Sequence, residues 1–394
     1  MAGSTAAAPG PTSVIDGLNY NSWGCGFPPD TNGDVGPDHY IQTVNCSFGI
    51  FDKVSGTRLA ANTFNGITPN TSGTVCDSNN YGDPVVVYDS FSDRWIMTDF
   101  AFTTSGGSLT SRTYECILVS KTSDPVAGGW WYYAIPVTDA GLIGDIADYP
   151  KVGVWPDGIY ITFNVFSGSG GFKNVRLLAL NRADLEAGSA LRTAMVDLPQ
   201  VVGGTTVFSL LPANARVQTG VPAAGTPALF ASVWGKYAIR VWKWALDWTT
   251  SPVGSTLSGP SEAPTGSFSV GPGTAATPAN ANDTLTYRLM MQAQYTNIGG
   301  SESLWLSHTV ANPSNTALAA PRWYQLGVTG GVVDWSSHVA RNDHPSASAA
   351  KPATFAGLWS FAVSVTGGSR LQAIGLHASL RKSHPAGQAI TRLR

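Results

Sequence analysis

The amino-acid sequence predicts an all-β protein, a β-propeller of six blades with about four strands each, seven blades being the alternative. Three observations predict it. Charged residues make up only 12% of the 394, while glycine (44) and proline (25) are abundant, a composition suited to short strands joined by tight turns. Apolar and polar residues alternate with period two in many short segments, and the one convincing helical pattern is "RADLEAGSALR", 182–192. A single grammar also recurs: a polar or proline-containing entry, a short apolar strand, a tight turn and a second alternating strand.

The grammar starts in "GPDHYIQTVN" (36–45) and returns in "GDPVVVYDSFSDRWIMTDF" (82–100) and "DYPKVGVWPDGIYITFN" (148–164). It continues in "GTPALFASVW" (225–234), "TYRLMMQAQYTNIGGSESLWLSHTV" (286–310) and "TFAGLWSFAVSV" (354–365). Between these lie further alternating segments, "YECILVS" (114–120), "WWYYAIPV" (130–137), "VRLLALN" (175–181) and "IRVWKWALDW" (239–248). That makes roughly four strands per unit at a spacing of about 55 to 75 residues, and no such unit buries its faces alone. In the turn Pro156-Asp157-Gly158 proline presets φ and glycine is expected to take a positive one. The helical patch is expected to decorate an inter-strand loop, and the Gly/Pro/Ala/Thr-rich stretch 259–282 to form a long surface loop.

Residues 1–12, "MAGSTAAAPGPT", lack the charged-then-apolar order of a signal peptide and read as a flexible leader, followed by one propeller domain over 13–394. The net charge is −2 with scattered basic residues, which provides no electrostatic footprint for nucleic acid or an anionic membrane. No run approaches the roughly eighteen apolar residues of a membrane span. Cys25, Cys46, Cys76 and Cys116 have no CxxC spacing, so zinc is disfavoured and two disulfides formed in an oxidising compartment are expected. Of the three possible pairings, the sequential one, Cys25 with Cys46 and Cys76 with Cys116, is the expectation, although the sequence itself does not choose among them.

The segments "PPDTNGDVGPDHYIQTVN", "NNYGDPVVVYDSFSDRWIMTDF", "YECILVSKTSDP", "DYPKVGVWPDGIYITFN" and "LTYRLMMQAQYTNIGGSESLWLSHTV" resemble, in this order, a family of uncharacterised bacterial secreted β-propeller proteins. The resemblance covers about residues 14–330 and implies the fold and export; it brings no activity and no catalytic residues. From about residue 335 the pattern is lost. After Asp343 there is no acidic residue while six Lys or Arg remain, so the final blade has diverged or its reading frame has shifted.

Three sets of residues carry candidate chemistry. Asp30, Asn32 and Asp34 in "PDTNGD" alternate in a turn-rich segment, the arrangement by which a short loop points oxygens at Ca2+; the competing reading is side-chain turns with a positive φ at Gly33. An EF-hand is excluded, because Val35 stands at the sixth position and Ile41 at the twelfth. Asp83 in "GDP" and Asp148 in "DYP" stand at blade entries, where inner strands converge on one channel mouth. They are the candidate carboxylates of a glycoside hydrolase, expected about 5 to 9 Å apart, against a role as turn caps. Arg288, a cation in an apolar inner strand, requires an acid partner or an anionic ligand. Trp155 and Trp234 are the candidate sugar platforms; Trp242, Trp244 and Trp248 are assigned to blade packing, and His308 to a structural role.

The expectation is therefore an exported propeller acting on extracellular polysaccharide, with Asp83 and Asp148 as catalytic carboxylates and Arg288, Trp155 and Trp234 binding substrate. The alternative is a non-catalytic propeller that binds glycan or protein at a cell surface.

Overall fold

A computed structural model describes residues 14–26, 28–67, 72–271, 274–276 and 281–342. The leader and the segment 354–365, the sixth occurrence of the strand grammar, lie outside the described residues.

Three four-stranded antiparallel sheets and one eight-stranded sheet, itself two four-stranded meanders joined by a short parallel pairing, follow one another along the chain and make five blades. Blade 1 contains Asn32–Val35, His39–Val44, Ser47–Asp52 and Arg58–Thr63; blade 2 contains Gly82–Asp89, Arg94–Ala101, Tyr114–Ser120 and Trp130–Pro136. Blade 3 contains Ile146–Trp155, Gly158–Phe166, Phe172–Asn181 and Thr193–Pro199. Blade 4 contains Leu211–Asn214, Ala228–Trp234, Ala238–Asp247 and Gly254–Pro264, and blade 5 contains Ala293–Ile298, Ser301–Asn312, Asn315–Gly327 and Asp334–Asn342. The first strands neighbour one another in chain order, the blade arrangement of a β-propeller. Five blades, instead of the expected six, are present among the described residues, and no strand pairing there joins the fifth to the first.

The inner strand of two blades lies one strand earlier than the grammar indicates. "GPDHYIQTVN" and "GTPALFASVW" hold the second strands of blades 1 and 4, because the true inner strands, "NGDV" and "LPAN", are four residues long and carry little apolar alternation. What makes them strands is their neighbours. Asn32 Oδ1 accepts the N–H of Val86 at 3.0 Å, and Asp34 Oδ2 accepts that of Tyr88 at 2.9 Å, so blade 1 satisfies backbone donors on the exposed edge of blade 2. Asn214 Oδ1 takes the N–H of Val154 at 3.2 Å in the same way between blades 4 and 3. Asp34 also forms an ion pair with Arg216, which ties blade 1 to the segment after the inner strand of blade 4.

Between the blades the faces pack as apolar layers. Val85, Val87, Ile96, Ile117 and Val119 of blade 2 meet Val152, Val154, Ile159 and Ile161 of blade 3. Trp242 and Trp244 are buried with Tyr160, Phe230 and Leu177 between blades 3 and 4, as their alternation indicates. Trp248 lies at the rim and donates to Asp157 at 3.1 Å. His308 is buried, 2.7 Å from the Tyr324 hydroxyl, and burial aided by the Arg322 charge lowers its pKa to about 3. The helix is Arg182–Ala187, capped by the Asn181 side chain and by left-handed Gly188, and it joins the third and fourth strands of blade 3. Residues 259–264, expected in a loop, belong to the fourth strand of blade 4.

Two glycines serve a purpose other than the one their turns suggest. Gly33 and Gly158 do not have positive φ. A Cβ on Gly33 would lie 2.4 Å from the Tyr40 hydroxyl, and one on Gly158 would lie 2.7 Å from the Leu180 carbonyl oxygen. Both are close-approach positions. The disulfides are Cys25–Cys46 and Cys76–Cys116, the sequential pairing.

Removing Asp34 leaves Arg216 without its acid and the Tyr88 N–H without an acceptor. Asp34→Ala is expected to destabilise the fold by about 3 to 5 kcal/mol, read by chemical denaturation. The loss should be equal in calcium and in EDTA. A loss seen only in calcium would contradict the structural role.

Candidate active site

The entries to the inner strands share a backbone feature. Asp30 (φ 44°), Asp83 (φ 47°), Tyr149 (φ 58°), Ser209 (φ 54°) and Tyr287 (φ 73°), one per blade, all occupy the left-handed region that ordinary residues avoid. Such a residue persists only where its surroundings hold it. Asn45, at the end of the second strand of blade 1, does this for Asp83 by accepting its N–H at 2.9 Å. Asn164, on the second strand of blade 3, does it for Ser209 by accepting its N–H, also at 2.9 Å. The left-handed residue turns the chain inward, and its side chain or that of its neighbour is delivered to the axis.

Three carboxyls meet there. Asp83 hydrogen-bonds Asp30 of blade 1 on one side and Asp148 of blade 3 on the other. Asn45 Nδ2 donates to Asp30 Oδ2 at 2.8 Å, and the Tyr149 N–H donates to Asp148 Oδ1 at 2.7 Å, which fixes the outer two. A contact between carboxyls needs a proton on one of them, because like charges so close do not both ionise. That proton belongs to Asp83: burial first, then the charges of Asp148 and Asp30, push its pKa up to about 8. Burial also raises Asp30, against the lowering effect of its hydrogen bonds with Asn45 and Asp83.

Cations lie beside the carboxyls. Lys151 follows a bulge in the inner strand of blade 3, donates from Nζ to the Pro150 carbonyl at 2.8 Å, and sits 3.3 Å from the centroid of the Tyr149 ring. Burial lowers its pKa to about 8; Asp83 and Asp148 oppose the shift, and Arg288 reinforces it. The Arg288 guanidinium lies 4.5 Å from the Tyr149 ring centroid and 4.9 Å from that of Phe208. It also hydrogen-bonds the Tyr149 side chain.

Behind Asp83, on the face of blade 2 that meets blade 3, Glu115 is fully buried with the Thr98 side chain beside it. Burial pushes it up to about 8, so it stays neutral at neutral pH. Asp99, also fully buried, accepts the Gly82 N–H at 3.1 Å, and burial raises its pKa well above the ordinary value.

Of the sequence-derived residues, Asp83, Asp148 and Arg288 come together, joined by Asp30. Asp83 and Asp148 lie close enough for the Asp148 charge to raise Asp83, so the two expected carboxylates do share one place at the axis. Trp155 is no platform: it is buried, its indole N–H donates to the Thr226 carbonyl at 2.9 Å, and its ring packs edge-on to Tyr295 at 5.1 Å. Trp234 closes the second strand of blade 4 and is covered by Arg240. Asp30, Asn32 and Asp34, the candidate calcium residues, do not form one loop: Asp30 precedes the strand and meets Asn45. Asn32 and Asp34 lie in a strand and point their oxygens at backbone N–H groups and Arg216, donors where a cation would need to sit. Among the described residues no group of three or more His, Cys, Asp or Glu is placed to hold a metal ion.

Asn45, Glu115, Tyr149, Lys151 and Phe208 escaped the sequence reading. Lys151 and Tyr149 stand in the "DYPK" motif already singled out for Asp148; for Asn45 and Glu115 the sequence offers no signal apart from adjacency to Cys46 and Cys116.

No protein-family model matches the chain, and no curated protein matches it. Solved structures that resemble it include an exo-β-1,3-galactanase from Phanerochaete chrysosporium bound to β-1,3-galactotriose, 10% identical with a TM-score of 0.33, covering 77% of this chain and 62% of that one. A GH43 β-1,3-galactosidase bound to galactodeoxynojirimycin is 9% identical with a TM-score of 0.35, covering 77% and 92% respectively. The chain thus spans less than two thirds of the galactanase, and at these scores the likeness bears on neither activity nor substrate. Among the described residues no helix is long and apolar enough to cross a membrane.

The raised acids have a consequence for stability. Asp83 and Glu115 hold their protons in the folded protein up to about pH 8 and release them near pH 4 when unfolded. Their contribution is full below about pH 4, declines as the pH rises, and is lost at about pH 8. Denaturation midpoints should fall across that window, and Asp83→Asn, which cannot ionise, should flatten the decline. An unchanged slope in Asp83→Asn would place the titration elsewhere.

Proposed function

We propose that the protein is an exported glycoside hydrolase-type enzyme acting on extracellular polysaccharide at the axial carboxyl cluster. One observation carries this reading: carboxyls from three successive blades meet with one proton held among them at neutral pH. Export is supported by the two disulfides, which need an oxidising compartment to form.

The geometry favours the outer carboxyls as the working pair, since Asp30 and Asp148 are separated by the Asp83 carboxyl between them. In this reading Asp148 receives the Asp83 proton and passes it to the glycosidic oxygen as the bond to the anomeric carbon breaks. Asp30 accepts the proton of a water that attacks the anomeric carbon; where Asp30 attacks that carbon itself, water then cleaves the glycosyl ester, giving its proton to Asp148 and freeing the Asp30 carboxylate. The inward-held Asp83 then takes up a proton again. Lys151 limits the negative charge that would otherwise accumulate on three adjacent acids.

A non-catalytic glycan- or protein-binding propeller is the second reading. The direct contact of Asp83 with both neighbours favours it, because a glycosidase needs room for a sugar between its acid and its base.

Reducing-end release from a panel of polysaccharides separates the two. Asp30→Asn, Asp83→Asn and Asp148→Asn are each expected to lower kcat/KM by at least about 100-fold. The wild-type rate should fall as the pH rises through about 8, where Asp83 loses its proton. Glycans that bind without any bond cleavage would establish the binder.

A further inference from the structure

Arg288 and Lys151 form an arrangement that the carboxyl chemistry does not explain. Two cations from different blades are held against one aromatic ring, Lys151 at 3.3 Å and Arg288 at 4.5 Å from the Tyr149 centroid. Lys151 has the acids Asp83 and Asp148 beside it. No carboxylate lies within salt-bridge distance of Arg288 among the described residues, and it is set between the rings of Tyr149 and Phe208. A guanidinium confined by two aromatic faces retains its in-plane N–H donors, which are directed along the ring planes and match an oxyanion bidentately. The Tyr149 backbone is left-handed and its N–H is fixed by Asp148, so the ring that carries both cations is held in place.

Burying one cation beside another is unfavourable unless an anion compensates. The three acids do compensate Lys151. Arg288 lies on the entry to blade 5 next to left-handed Tyr287, whose side chain is 60% exposed. The site thus sets acids from blades 1 to 3 together with a half-buried cation from blade 5 that has no carboxylate of its own within salt-bridge distance among the described residues.

We propose that Arg288, set between Tyr149 and Phe208 and assisted by Lys151, is a subsite for an oxyanion of the ligand, so that the cluster takes an acidic glycan carrying a uronate carboxylate or a sulfate ester. The proposal rests on the glycan reading of the site but not on catalysis. Arg288 selects the ligand by pairing with its anion, and the carboxyl cluster faces the neighbouring glycosidic bond.

The test is calorimetric titration of the wild-type protein and of Arg288→Gln with three probes: a polygalacturonate oligomer, a sulfated galactan oligomer and a neutral galactan oligomer. Wild type should bind one of the acidic probes more tightly than the neutral one, with affinity that weakens as salt is raised. Arg288→Gln should weaken that binding about 10- to 100-fold, a larger loss than it causes on the neutral probe. Arg288→Lys, which keeps the charge but loses the fork, should recover only part of it. Which acidic probe binds identifies the anion as carboxylate or sulfate. Tighter binding of the neutral probe, or equal loss on all three probes, overturns the proposal. Acidic glycan bound through Arg288 but never cleaved would sink the hydrolase and leave the subsite standing, whereas cleavage of neutral glycan indifferent to Arg288 would do the reverse.

Discussion

The inner strand of each blade is an edge strand, and what to do with its unpaired backbone is the constraint on which the rest of the structure depends. An unpaired N–H row is costly when buried and invites mispairing when exposed. Here some of the donors are taken up by side chains of a neighbouring blade. Asn32 and Asp34 serve Val86 and Tyr88, and Asn214 serves Val154. Only between blades 4 and 5 does a short parallel ladder, Ala213 with Ala293 and Asn214 with Gln294, take over. The strands that supply these acceptors, the inner strands of blades 1 and 4, are polar at those positions, which places Asn32, Asp34 and Asn214 near the axis.

Strands that converge on an axis must also be entered from somewhere, and the entry is the left-handed residue repeated once per blade. The strain it carries is met by an asparagine in two of the five cases, Asn45 and Asn164, each on or at the end of a second strand and reaching to the following blade. Asn45 does more, since its other end holds the Asp30 carboxylate. One amide thus sets the distance between two of the three acids. Function at this site, whether hydrolysis or binding, relies on the same side chains that satisfy the strand edges.

This explains what was legible in the sequence and what was not. The third strands of blades 2 and 4 are buried on both faces between neighbouring blades and so are rich in apolar residues, which made "YECILVS" and "IRVWKWALDW" readable as strands. The inner strands "NGDV" and "LPAN" answer to hydrogen bonding across blades and read as turns, which moved two inner strands by one position and turned Asp30, Asn32 and Asp34 into an apparent calcium loop. The "GDP" and "DYP" entries pointed to Asp83 and Asp148, since an acid before a proline has a local signature. Their contact distance had none, because it depends on how a bulge at residues 148–151 and the left-handed Asp83 combine in space. Trp155 and Trp234 were misassigned for a related reason: position at a strand end does not reveal which blade closes over the ring.

The disulfides fit the same logic. Cys46 follows Asn45, is itself left-handed at φ 75°, and is held by Asn80, whose Nδ2 donates to the Cys46 carbonyl at 2.8 Å. Cys116 follows Glu115 and stands opposite Asp99 on the neighbouring strand. Each cross-link therefore anchors a residue adjacent to the acid cluster, where crowded carboxyls would push the blades apart if they ionised together. Burial keeps Asp83, Glu115 and Asp99 neutral, and covalent bonds hold the backbone that buries them. Each bond ties the segment leading into a blade to that blade, Cys25 to the turn after the second strand of blade 1 and Cys76 to the third strand of blade 2, and so fixes the backbone beside Asn45 and Glu115.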